Sequence, residues 1–356
     1  MNFNFPLLRP IRMLLFPFSL IYALIIFLRN RLYDRHVFAS TSFNMPLICV
    51  GNLSVGGTGK SPMVELMVKH LKGKYRIAVL SRGYKRKTKG YALANERSTA
   101  LEIGDEPMQF HVKFPDVAIA VGEERMVAIP QLLHDRPSTQ AIILDDAFQH
   151  RVINAGLNIL LTDYNNLYTR DWFLPTGDLR DEPGSARRAS IIVITKCPAD
   201  LSQEEREALT REIRPREYQR VFFSTLQYER PYHIIHRDTR AITTDDEVLM
   251  VTGIANPRSL KQYLLEYSRT YYEMSYSDHH IFTIDDLREI RMKFEQVTAD
   301  NKIIITTEKD AVRLLKFEQE LRELPCYVLP IGHHFLFGEA QSFMDIIGNF
   351  ISTYKR

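Results

Sequence analysis

The sequence predicts an α/β fold: a parallel sheet domain with helices on both faces, a second and smaller α/β domain, and an apolar N-terminal helix. Three observations lead there. Short apolar runs alternate with helical or loop segments, the signature of a parallel sheet. The first run passes directly into a glycine-rich loop. A second alternating series begins near residue 248. The bulk figures agree: 356 residues suit two domains, and 45% hydrophobic with 25% charged residues is an ordinary globular balance. A net charge of +3 is too mild to indicate nucleic acid, and none is expected as a partner. Three widely spaced cysteines, Cys49, Cys197 and Cys326, exclude a disulfide framework and a C-x-x-C zinc site, which points to a reducing compartment.

Residues 13–28 (MLLFPFSLIYALIIFL) carry no charge, with Arg9 and Arg12 before them and Arg29, Arg31 and Arg35 after. As a helix the run is about 24 Å long at ~1.5 Å per residue, against a hydrocarbon core of ~30 Å. Phe27-Leu28-Arg29-Asn30-Arg31 offers no small-residue cleavage site, which argues against a cleaved signal peptide. A buried core helix is the plain alternative. A retained membrane helix over 1–35, spanning or lying in the interface with snorkelling arginines, is the favoured expectation.

Strands are expected at residues 46–50 (PLICV), 76–80, 117–121, 141–144, 158–162 and 191–195, with a helix over 62–71. They make a first domain over 36–220. Residues 221–245, where Pro231 interrupts a mix of aromatic and polar side chains, read as a linker that pairs as two extended strands. Strands at 248–252, 271–276, 302–306 and 327–331 and a helix over 341–351 make the smaller domain, 246–356.

The strongest chemical signal is the loop Gly51-Asn52-Leu53-Ser54-Val55-Gly56-Gly57-Thr58-Gly59-Lys60-Ser61. Glycines let backbone N–H groups wrap phosphates, and the following helix adds its positive end. Lys60 would reach the β- and γ-phosphates and Ser61 would place its hydroxyl on Mg²⁺. Ser54 stands where the strict motif has glycine, but a buried strand precedes the loop and Pro62 suits the first turn of the helix after it. The first domain is therefore expected to be P-loop NTPase-like. Thr195-Lys196-Cys197-Pro198 is loosely similar to the lysine motif of guanine-binding proteins but has proline in place of its aspartate, so ATP is expected over GTP.

Asp145 and Asp146 end the run AIIL, where a phosphate loop's Mg²⁺ partner usually lies. Two adjacent buried carboxylates are costly without a cation; a solvated turn is the alternative. Asp105 and Glu106, in Gly104-Asp105-Glu106-Pro107, also fit a helix start. Asp278-His279-His280 reads as an acid–base dyad, a metal site or a surface turn. Five cations lie between Arg82 and Lys89, facing solvent or anionic lipid headgroups.

Taken in order, GNLSVGGTGKSP, SRGY, GDEP, VGEER, DDAFQH, LPTGDLRDEP, ITK, SDHH and TTEKDAV, from residue 51 to 312, resemble the lipid A 4'-kinase (tetraacyldisaccharide 4'-kinase) family. The resemblance implies an enzyme on the cytoplasmic face of the bacterial inner membrane. It would transfer the γ-phosphate of ATP to the 4'-hydroxyl of a tetraacyl disaccharide 1-phosphate. It implies Gly56, Gly57, Thr58, Gly59, Lys60 and Ser61 as the nucleotide loop. It implies Asp105 as general base paired with a histidine of the DHH segment, His279 ahead of His280 with the choice left open, and Glu106, Asp145 and Asp146 with Ser61 around Mg²⁺. Ser81, Tyr84, Arg125, Gln149, His150 and Arg180 would meet the nucleotide or the disaccharide. Departures are Ser61 for threonine, Ala147 for glycine in DDGFQH, and Leu179-Arg180-Asp181-Glu182-Pro183 for LREP, which leaves open whether Asp181 or Glu182 answers to the family's glutamate. Placing Asp105 and His279 in different domains predicts domain closure around the reactants. No obligate protein partner is expected. The alternative is a membrane-associated P-loop ATPase acting as a switch or assembly factor.

Overall fold

The structure, a computed structural model, describes residues 12–354. Helix α1 (Phe16–Asp34) runs along the surface with its polar residues turned inward. Ser19 is buried against Thr176 (2.7 Å) and Asn30 against Asp181 (2.8 Å), while Leu20, Ile21, Leu24, Ile25 and Leu28 stay exposed. No helix among the described residues is long and apolar enough to cross a membrane, so the expected membrane helix over 1–35 is not supported as a span; its residues 1–11 lie outside the described residues. The run is too short, and its polar side chains are committed to protein contacts.

Strand β1 (Leu47–Asn52) is buried along its whole length, as a central parallel strand must be. It sits between β5 and β6 in a sheet that, among the described residues, has nine strands in the order β14-β8-β7-β6-β1-β5-β2-β4-β3. The others are β2 (Ile77–Ser81), β3 (Ala92–Leu93), β4 (Ala118–Val121), β5 (Ala141–Asp145), β6 (Leu157–Asp163), β7 (Ile191–Thr195), β8 (Arg220–Tyr228) and, much later, β14 (Ile331–Phe335). Pairing is parallel except at the edge strands β3 and β14. Helices α2 (Lys60–Leu71), α3 (Asp105–Lys113), α4 (Arg125–Asp135) and α5 (Gln203–Ile213) lie in its connections. Apolar cores fill both faces: Leu47, Cys49, Leu144 and Phe223 on one, Ile48, Val50, Met63 and Phe110 on the other. All three cysteines are buried and free.

The smaller sheet runs β11-β10-β12-β13-β9, with β9 (Tyr232–His233), β10 (Glu247–Thr252), β11 (Thr270–Ser275), β12 (Lys302–Thr307) and β13 (Cys326–Leu329). Helices α6 (Arg258–Tyr267), α7 (Ile284–Gln296) and α8 (Glu308–Leu314) accompany it. Leu249, Val251 and Ile304 face one core; Val248, Met250 and Ile303 face the other.

Two expected boundaries are corrected. Residues 221–245 are not a linker: β8 pairs with β7, and its neighbours Phe222 and Phe223 fill opposite cores of the large sheet. Nor does the smaller domain extend to the C-terminus. After β13 the chain crosses Pro330, pairs β14 antiparallel to β8, and ends in α9 (Ala340–Thr353) on the large sheet. Phe343, fully buried, meets Phe222 and Phe335 with ring centroids 5.5 and 4.5 Å apart. The smaller domain is thus an insertion between two neighbouring strands of the larger one.

Because Phe343 sits in the large core, Phe343→Ala should cost about 3–5 kcal/mol. Urea unfolding followed by circular dichroism reads this; a loss under about 1 kcal/mol would mean that α9 is not part of that core.

Candidate active site

Strand β1 delivers the glycine-rich loop to the carboxyl edge of the sheet, next to β5, where a parallel sheet leaves its binding crevice. Val50 is in register with Asp145. The crossing is tight: a Cβ on Gly51 would stand 2.6 Å from Phe148 Cβ. Gly56 and Gly59 have φ of 105° and 84°, which a side chain resists. Thr58 is pinned at both ends: Asn52 donates to its hydroxyl (2.9 Å) and its carbonyl accepts from the Thr195 hydroxyl (2.9 Å). Helix α2 then opens with Lys60 and Ser61.

Four carboxylates gather beside this loop. Ser61 Oγ donates to Glu106 Oε1 (3.0 Å), which also accepts from Lys309 Nζ (2.8 Å) on α8. Burial would raise Glu106, but Lys309, Lys60 and Ser61 together hold it below the usual carboxylate range. Lys60, 3.9 Å away, and Arg180, which grips it, together keep Asp146 low against the push of burial. Asp145 is different. Among the described residues only Ser81 donates to its carboxylate (3.1 Å), Oδ1 is buried without a partner, and burial with the charges of Glu106 and Asp146 pushes it up to about 7.

The fourth carboxylate is held from the smaller domain. Asp105 opens α3 at the helix's positive end. Its Oδ2 accepts from His279 Nδ1 (2.7 Å) and from the Arg313 guanidinium (2.6 Å). Burial pulls the other way, yet these two partners bring Asp105 down to about 2. His279 has φ 62°, with the exposed Tyr84 ring edge-on 6.2 Å away. His280 turns instead to Asp286 (2.9 Å) within its own domain.

The remaining sequence candidates are placed as follows. Gln149 donates to the Asn52 carbonyl, and Arg180 joins Asn52 to Asp146. His150 is half-buried and pushed down to about 4 by burial and by Arg125, Arg82 and Arg29. Arg125 does not line an open surface: it is 1% exposed and donates to the carbonyl of Asp145 (2.7 Å). Asp181 is buried among Asn30, Ser185 and Arg188, and Glu182 meets Asn30 (3.1 Å), so their recorded bonds tie them to α1 and its surroundings. Within the basic run, Arg86 is paired with Glu123 (2.6 Å). Lys196 pairs with Asp163 (2.6 Å).

Sequence reasoning missed Arg313, Lys309 and His333. The first and second lie in or just past TTEKDAV, where Glu308, Lys309 and Arg313 recur at helical spacing. That periodicity could have placed Lys309 and Arg313 on one face. Nothing local in IGHHF marks His333.

The model of the tetraacyldisaccharide-1-P 4'-kinase family matches residues 11–351. The chain belongs to that family. A tetraacyldisaccharide 4'-kinase of Bacteroides thetaiotaomicron is 41% identical over 357 residues, covering 96% of this chain and 94% of that one. One from Flavobacterium johnsoniae is 44% identical over 329 residues, covering 92% and 93%. The crystal structure of the family's Aquifex aeolicus member, in complex with ATP, aligns with a TM-score of 0.74 at 27% identity, over 96% of this chain and 99% of that one.

The Asp105 cluster has a pH signature. A carboxylate depressed to about 2 contributes stability that is complete above its unfolded value near 4 and vanishes as pH falls through about 2. Asp105→Asn should therefore be less stable than wild type by on the order of 2 kcal/mol at pH 7, with the gap closing toward pH 2. Urea midpoints across that range test it; a gap that does not change with pH would refute the ion cluster.

Proposed function

We propose that this family member phosphorylates the 4'-hydroxyl of a tetraacyl disaccharide 1-phosphate with ATP, on the cytoplasmic face of the bacterial inner membrane. One observation carries the reading. Ser61 of the phosphate loop and Lys309 share an oxygen of Glu106, whose neighbour Asp105 is paired with His279. A phosphate cradle therefore adjoins a residue pair suited to receive a hydroxyl proton.

The mechanism follows from the charges. The loop N–H groups and Lys60 neutralise the triphosphate. Both side-chain bonds to Asp105 end on Oδ2, so Oδ1 is the oxygen to meet the acceptor hydroxyl. A carboxylate near 2 is a weak base, which suits a loose transition state where the proton leaves late. His279 orients Asp105 and can share the proton.

Among the described residues no cluster of three acidic, His or Cys side chains could hold a metal alone. The residues nonetheless fit Mg²⁺, which typically takes one or two carboxylates together with phosphate oxygens and water. Asp145, with its orphaned Oδ1, and Ser61 would hold it, with Asp146 and Glu106 beside them. Asp145 and Ser61 would supply oxygens to Mg²⁺ there, and its positive charge would offset the burial and the charges of Glu106 and Asp146 that raise Asp145.

Helix α1 supports a membrane-surface reading. Its exposed Leu20, Ile21, Leu24, Ile25 and Leu28 would enter the headgroup boundary, bringing the kinase to a lipid acceptor. Tyr22 and Arg29 of the same helix donate to the carbonyls of Arg180 and Gln149, which ties this face to the site. A switch ATPase would leave the Asp105–His279 pair without a role.

Incubation with γ-labelled ATP, Mg²⁺ and the tetraacyl disaccharide 1-phosphate should label the lipid. Asp105→Ala should lower kcat by about 10²–10⁴-fold. Label released only as free phosphate would overturn the kinase reading. Separately, the double variant Leu24→Asp, Ile25→Asp should bind anionic vesicles at least about tenfold more weakly in co-sedimentation. Equal binding would remove α1 from the interface.

A further inference from the structure

We infer that His333 is a positioning residue of the phosphate loop: carried on the strand that returns from the smaller domain, it holds the Gly59 carbonyl and so aims the adjoining loop N–H at the triphosphate. His333 is 4% exposed on β14. Its Nε2 lies 2.8 Å from the Gly59 carbonyl oxygen, and its Nδ1 3.0 Å from the Ser224 hydroxyl on β8. A carbonyl only accepts, so Nε2 carries the hydrogen; Nδ1 then accepts from Ser224. Burial depresses the imidazole to about 4, so this neutral form persists at working pH.

The Gly59 carbonyl has two donors. Met63 N–H reaches it at 3.1 Å as the first helical bond of α2, and His333 takes the second position. The Gly59 carbonyl and the Lys60 N–H belong to one planar trans peptide and point in opposite directions. Fixing the carbonyl away from the loop mouth therefore turns the Lys60 N–H toward it, where phosphate binds. The fit is close enough to specify glycine on two grounds. Gly59 has φ 84°, and a Cβ there would stand 2.8 Å from His333 Nε2. The neighbouring Lys60 and Ser61 start from this brace, so a carbonyl left loose would misplace both side chains as well as the N–H.

This inference rests on the ATP-dependent reading above, and direct nucleotide binding separates their failures. The variants are His333→Phe, which keeps a ring without a donor, and His333→Gln, whose side-chain amide reaches a similar position. The probe is a fluorescent ATP analogue, followed by steady-state kinetics on both substrates. His333→Phe should bind the analogue and raise KM for ATP by about tenfold, as expected for the loss of one hydrogen bond that orients the Gly59 carbonyl. Its acceptor KM should stay within about twofold, and His333→Gln should recover most of the loss. A purely packing role would instead lower the melting temperature and leave ATP affinity alone. Wild-type affinity in His333→Phe, or equal losses for both substrates in both variants, would overturn the inference. If His333→Phe does not fold, Ser224→Ala removes only the hydroxyl that sets the ring. It should weaken ATP binding by about threefold, and an unchanged affinity would overturn the inference. A wild-type chain that binds no ATP would sink the proposed function and this inference together.

Discussion

Like-charge repulsion at the loop is the constraint that organises this molecule. Asp105, Glu106, Asp145 and Asp146 lie beside one glycine-rich turn, and carboxylates so close cannot all ionise without cations. Asp146 is answered from the large domain by Lys60 and Arg180. Asp105 and Glu106 are answered from the smaller domain by Arg313 and Lys309. Among the described residues no cation pairs with the Asp145 carboxylate, and burial with the charges of Glu106 and Asp146 pushes it up. The two domains are therefore bound together by the electrostatics of the site itself, and the one uncompensated carboxylate marks where a further positive charge belongs.

Behind the site a second ion cluster repeats the arrangement. Lys113 on α3 bridges Glu65 on α2 (2.5 Å) and Glu308 on α8 (2.6 Å), with Gln109 satisfying Glu65. The helix that follows the phosphate loop, the helix that opens with Asp105, and the helix that carries Lys309 and Arg313 are thus held at one point. Ion pairs buried this deeply add little net stability but fix geometry, since a shifted partner leaves a bare charge. Rigid placement of Asp105 relative to Lys60 is what in-line transfer requires.

Much of this was legible in the chain. The loop, its flanking strand and the two acidic dipeptides follow from glycine placement and from carboxylates at the ends of apolar runs. The choice of His279 over His280 was not legible, because adjacent residues differ only in direction and direction is set by the φ of 62° at His279. The place of β8 in the large sheet was missed because Pro231 and polar neighbours broke the apolar pattern, although Phe222 and Phe223 enter opposite cores. Arg125 entered as a ligand group through the family resemblance; its burial against backbone carbonyls is a tertiary fact. No described helix is long and apolar enough for the expected membrane span. Ser19 in the apolar run and Asn30 just beyond it look incidental until their partners Thr176 and Asp181, far along the chain, are known.

The insertion of the smaller domain between β8 and β14 also fixes an order of events during synthesis. The large domain's core needs Phe343, Ile347 and Ile351, which leave the ribosome after every residue of the insertion. The smaller sheet, complete by Leu329, is free to fold as an island while the larger core still gapes along the β8 edge. The nascent chain therefore carries an open apolar seam until its last segment emerges. The phosphate loop, though made early, gains its His333 support only when that seam closes.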